Sequence, residues 1–136
     1  MRVSYDSDAI KLMNLVESLT SAKIKDLIVE PDRYIFIVEE NDVGKAIGKN
    51  GVNIKRLERL FKKKVKVVGF ADDVKTFIKH LVFPIETEIE DNKGIITIKS
   101  RDTKSRGILI GRGAKNLKHT KEIVQRHFDV KEIKVM

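Results

Sequence analysis

Apolar positions along the chain switch between two periods. From about Asp8 to Thr20, Leu12, Leu15, Val16 and Leu19 recur at helical spacing with Ile10 and Met13 beside them. This predicts an amphipathic helix whose start Ser7-Asp8 can cap. The period then shortens to two. Lys25 to Glu30, centred on Leu27-Ile28-Val29, reads as a strand closed by Pro31-Asp32. Arg33 to Glu39 alternates, with Tyr34, Phe36 and Val38 on one face and Arg33, Ile35, Ile37 and Glu39 on the other. So short a joint predicts an antiparallel hairpin. Helical spacing returns after Asn41 or Asp42, either of which can cap a short helix beginning at Val43. A turn, Gly48-Lys49-Asn50-Gly51, leads into a second helix from Val52 to Phe61 with Ile54, Leu57, Leu60 and Phe61 facing inward. Lys64 to Phe70 closes the set as a strand carrying Val65, Val67 and Val68. A strand that reaches its neighbour through a helical crossover runs parallel to it. The fold class is therefore α+β, a three-stranded mixed sheet with helices packed on one face.

The same order then recurs. A helix over Asp72–Val82 stops before Pro84, and strands Ile85–Asp91 and Ile95–Ser100 flank Asn92-Lys93-Gly94. A helix over Thr103–Ile110, the turn Gly111–Ala114, a helix over Lys115–His127 and a strand over Val130–Val135 follow. The repeat is also literal. The nine residues from Ile47 to Lys55 align, 63 positions on, with those from Ile110 to Lys118. Two copies of one small domain are implied rather than a solenoid, which needs more units. The boundary at Gly69–Ala71 assigns residues 1–71 to the first domain and 72–136 to the second.

Charge follows the repeat. The chain carries +8 overall, yet residues 43–66 hold nine Lys/Arg against one acidic residue, and residues 99–126 hold nine against two. The remaining residues are net acidic. Excess positive charge thus gathers around the two glycine turns, which suits a polyanion better than a merely solvated face. Glycine at the ends of a turn permits positive φ and close approach of another molecule. The first N–H groups of the following helix have no partner inside it and, with the positive end of the helix dipole, suit a phosphate.

A G-x-x-G turn between two helices, preceded and followed by apolar strands, resembles the KH domain, whose loop clamps single-stranded nucleic acid by its backbone. The element order matches the type II variant, in which the extra helix and strand come first. Two such tandem units resemble the archaeal NusA-like family of transcription termination and antitermination factors. The resemblance implies a single-stranded RNA-binding protein with RNA polymerase or the transcription complex as a partner. No nucleophile, base and orienter are arranged for catalysis and the lack of Cys fits a reducing cytosol, so a monomeric, cytoplasmic protein without enzymatic activity is expected. The resemblance places RNA on Lys45, Gly48, Lys49, Asn50, Gly51, Lys55 and Arg59 in the first copy, and on Gly111, Arg112, Gly113, Ala114, Lys115 and Lys118 in the second. A ribosome-associated or RNA-processing KH factor, or a KH scaffold that binds protein, shares the same residues. Ile47, Ile54, Ile110 and Leu117 fit either a nucleotide groove or the helix–sheet core.

The second turn departs from the family pattern, since Ala114 stands where the last glycine belongs. An ordinary helical φ there would tolerate Ala, a positive φ would cost about 1 kcal/mol or more, and Gly113 offers another place to turn.

Other chemistries find little support. Gly44 to Gly48-Lys49-Asn50 is one residue short of a P-loop and has Asn where the magnesium-binding hydroxyl belongs. His80, His119 and His127 have no metal-ligand spacing, and no cofactor is expected. Glu86, Glu88 and Glu90 alternate on one strand face, a pattern of solvation or edge protection. There is no Cys, and no run resembles a signal peptide or a membrane span.

Overall fold

The computed structural model describes residues 7–136. The first six residues, assigned above to the first domain, lie outside it. The chain divides into two compact units, one ending at Ala71 and the other running from Asp72 to Met136. In the first, helix α1 spans Ser7–Thr20, strands β1 and β2 span Ile24–Val29 and Arg33–Val38, helices α2 and α3 span Val43–Ile47 and Val52–Phe61, and β3 spans Lys64–Gly69. The second repeats this as α4 (Val74–Val82), β4 (Thr87–Asn92), β5 (Ile95–Ser100), α5 (Thr103–Ile110), α6 (Lys115–Gln125) and β6 (Glu132–Val135).

Each unit carries one mixed three-stranded sheet. β2 is central, antiparallel to β1 with Ile28 opposite Ile35, and parallel to β3 with Phe36 opposite Val67. β5 is central in the second sheet, antiparallel to β4 and parallel to β6. The β4–β5 hairpin closes on Lys93-Gly94, both at positive φ, the two-residue turn that matches strand twist.

In the first unit the core gathers Val16, Leu27, Phe36, Val38, Leu57 and Val65, with Leu12, Met13, Ile54 and Phe61 packed against it. Three expected core positions, Leu60, Leu15 and Ile10, fall outside. Leu60 is 55% exposed and Leu15 39%. The buried stripe of α3 runs through Ile54, Leu57 and Phe61, and at 100° per residue Leu60 lies about a quarter-turn off it. On α1 the stripe is Leu12, Met13, Val16 and Thr20, which turns both Leu15 and Ile10 outward. In the second unit Phe77, Ile78, Ile96, Ile98, Val124 and Ile133 are buried, and Phe77 stacks at a tilt on Phe128 with ring centroids 5.5 Å apart.

Caps account for several boundaries. Asp73 accepts the Thr76 N–H at 3.0 Å and starts α4. Asp102 accepts the Ser105 N–H at 2.7 Å and starts α5. Asp42 precedes α2 but makes no cap bond. Its carboxylate instead accepts the Lys23 N–H at 2.9 Å and lies 3.6 Å from Lys45 Nζ, so tertiary contacts claim the group that the sequence assigned to capping. Along the β4–β5 hairpin Glu90 pairs with Lys99 at 2.6 Å and Glu86 with Arg101, which neutralises two of the three alternating carboxylates across the strands. Among the described residues no helix is long and apolar enough to cross a membrane, and no three His, Cys, Asp or Glu side chains are grouped to hold a metal ion.

Candidate nucleic-acid interface

The first turn is built from three residues at positive φ. Helix α2 ends as the Gly48 N–H reaches the Gly44 carbonyl at 2.9 Å. Gly48 then takes φ 78°, ψ 166°, a region that is essentially glycine's alone. Asn50 (φ 57°, ψ 26°) and Gly51 (φ 74°, ψ 18°) are left-handed, and Val52 opens α3. Asn tolerates that conformation better than most residues, because its short polar side chain bonds locally. The second turn repeats the path with Gly111 (φ 75°, ψ 171°), Gly113 (φ 61°, ψ 26°) and Ala114 (φ 62°, ψ 23°). Corresponding angles agree to within 12°. Of the alternatives open for Ala114, the strained one is realised, and Gly113 does not replace it but occupies the place of Asn50.

The turns use some of their own amides. Gly51 N–H donates to the Gly48 carbonyl at 3.0 Å and Ala114 N–H to the Gly111 carbonyl at 3.2 Å. The glycine that opens each turn is spent closing the preceding helix. Among the described residues, no acceptor takes the N–H groups of Lys49 and Asn50, or of Arg112 and Gly113. Within each turn, the open donors are therefore its two central residues. No acidic residue sits in the first turn of α3 or α6, so no carboxylate of that turn offsets the positive end of either dipole.

Cations surround both turns. Lys49 and Lys55 are exposed beside the first, Arg112, Lys115 and Lys118 beside the second, and none of them is in an ion pair among the described residues. Lys45 is partly neutralised by Asp42, whose carboxyl is held below its ordinary range chiefly by the Lys23 N–H and then by Lys45 itself. Arg59 is exposed but lies seven residues into α3, roughly 10 Å along the axis from its start. Its counterpart in the repeat is Glu122, so this cation has no partner site in the second copy. Ile54 packs on the core, whereas Ile47, Ile110 and Leu117 are half-buried.

One pair of residues escaped the sequence reading. Asn53 Nδ2 donates to the Lys45 carbonyl at 2.7 Å, and Asn116 Nδ2 donates to the Ile108 carbonyl at 2.8 Å. Each Asn also fills the space beside the first glycine of its turn. A Cβ on Gly48 would lie 2.9 Å from Asn53 Cγ, and one on Gly111 would lie 2.7 Å from Asn116 Cγ. The available signal was the repeat itself, in which the two Asn align at the same 63-residue offset.

The KH domain family matches residues 13–81, which include the whole first turn and both its flanking helices. A protein of Methanocaldococcus jannaschii named "Probable transcription termination protein NusA" is 32% identical over 99% of this chain and 76% of its own length. A protein of the same name from Halococcus morrhuae is 27% identical over 99% of both chains. The chain belongs to the archaeal NusA-like family of KH proteins. The crystal structure of APE1850 has a similar fold, with TM-score 0.75 and 25% identity over 97% of this chain and all of that one. In this KH protein the second turn lies beyond the matched stretch, yet it reproduces the first turn's backbone although its second, third and fourth residues differ.

Proposed function

We infer that this chain is an RNA-binding, NusA-like transcription factor that grips single-stranded RNA at two places. Both units are type II KH domains, residues 1–71 and 72–136, and each holds backbone phosphates on its central turn amides. The observation that carries this reading is the duplicated turn, with the N–H groups of two exposed residues lacking acceptors and unpaired cations around them. Neutral amides at a helix start give direction, and the mobile Lys and Arg side chains give charge. Lys45, Lys49, Lys55 and Arg59 serve the first strand segment, and Arg112, Lys115 and Lys118 the second. Names of the relatives support a role in transcription termination; in this reading the chain acts on nascent RNA in the cytoplasm with the transcription complex as partner. The chain works as a monomer and as a binding factor, with donors and cations at its site.

The test is a competition. Fluorescence anisotropy of a labelled single-stranded RNA bound to the chain is followed as unlabelled single-stranded RNA or duplex DNA of equal length is added. The reading requires displacement at much lower concentration by the RNA. Equal displacement by both would reduce the site to a general polyanion surface.

A further inference from the structure

We propose that Asn53 and Asn116 are positioning residues for RNA, each setting the geometry of the turn amides without touching the ligand. The proposal rests on the RNA-binding reading above.

Each turn must hold the N–H groups of its two exposed central residues in place without using them. A short helix leaves its last carbonyls without intrahelical partners, and a residue such as Gly48 at φ 78°, ψ 166° has no side chain to fix it. The Asn side chain answers both problems. From the first turn of α3 it reaches back eight residues to the Lys45 carbonyl in the last turn of α2, and its amide group fills the volume beside Gly48. The backbone is thereby pinned on both sides of Lys49 and Asn50. In the second copy the bond goes to the carbonyl of Ile108, where the side chain is apolar rather than cationic. The contact is thus made to the main chain and is indifferent to the residue that supplies it. Lys and Ile at the acceptor position, and Gly-Lys-Asn-Gly and Gly-Arg-Gly-Ala in the turn, still give backbones that agree to within 12°. From the opening glycine to the Asn, those two residues are the ones identical in both copies.

The two copies allow an internal control. Amide 1H–15N spectra of the full chain are recorded while an eight-nucleotide single-stranded RNA is added, for wild type, Asn53→Ala and Asn116→Ala. In wild type the amides of Lys49, Asn50, Arg112 and Gly113 shift. In Asn53→Ala the responses of Lys49 and Asn50 weaken about tenfold in apparent affinity, the scale of one hydrogen bond removed, while Arg112 and Gly113 respond as before. Asn116→Ala shows the converse. Neither substitution changes charge, so weaker electrostatic attraction is not an explanation. Undiminished responses at Lys49 and Asn50 in Asn53→Ala would overturn the positioning role while leaving RNA binding intact. Loss at both turns from one substitution would overturn it as well, because the effect would then be a general loss of structure. A wild-type chain in which none of the four amides responds would overturn the RNA reading and this role with it.

Discussion

Ala114→Gly should stabilise the protein. Ala114 sits at φ 62°, ψ 23°, where the Cβ of an L-residue crowds its own carbonyl at a cost of about 1–2 kcal/mol. Glycine removes that strain but makes the unfolded chain more flexible, which returns about 0.4–1 kcal/mol. The net gain is about 0.5–1 kcal/mol. The equivalent residue of the first turn, Gly51, has nothing within 4 Å of a built Cβ, so only the backbone term enters the comparison. Gly51→Ala should therefore destabilise by a similar amount. For a unit of this size, 1 kcal/mol moves Tm by roughly 4–8 °C. Scanning calorimetry of the full chain should place the transition of Ala114→Gly several degrees above wild type and that of Gly51→Ala several degrees below. An unchanged or lowered Tm for Ala114→Gly would refute the reasoning. It would mean that the second turn is not left-handed at this residue, or that the methyl group makes contacts worth more than the strain.

Three other outcomes follow from the same geometry. Gly48→Ala would put a Cβ 2.9 Å from the Asn53 backbone nitrogen at a φ of 78°, so a urea melt should show a loss of about 1–3 kcal/mol, and a neutral result would contradict the described turn. Leu57→Ala should cost about 2–5 kcal/mol, whereas Leu60→Ala, which is on the exposed side of the same helix, should stay within roughly 0.5 kcal/mol; equal losses would place the stripe of α3 wrongly. The Asp73 and Asp102 carboxyls are held below their ordinary value of 3.8, first by the N–H groups of Thr76 and Ser105. Their contribution is therefore present above that value and lost as pH falls through the lower folded values. Tm measured from pH 5 to 2.5 should fall more steeply for wild type than for Asp73→Asn/Asp102→Asn, which keeps an acceptor at each cap but does not titrate, and parallel curves would count against the caps.

The element order was legible because it rests on periodicity. Helical spacing in α1 and α3, alternation in β2 and the Pro31-Asp32 joint are all local patterns, and the second copy repeats their order. Errors arose where rotation or tertiary contact decided. Leu15 and Leu60 belong to apolar helices, but a stripe spans only part of the circumference, and composition does not say which edge is left out. Asp42 reads as a cap until the fold brings Lys23 beside it. Ala114 shows the same limit at the site, since its φ is imposed by the turn rather than preferred by the residue. The Asn53 bond was hidden because its acceptor is a carbonyl, which carries no mark in the sequence. Lys49, Arg112 and their neighbours stand out as candidates because their charge clusters along the chain, independently of the fold.

The most direct test of the two-clamp account is RNA affinity across a salt series. Wild type is compared with Lys49→Asp/Asn50→Asp and with Arg112→Asp/Gly113→Asp on the same short single strand. Each phosphate that a variant no longer neutralises should make the log–log slope shallower by about 0.7. The account predicts weaker binding and a shallower slope for both variants. Wild-type affinity and slope in both would contradict it and leave the two turns as scaffold.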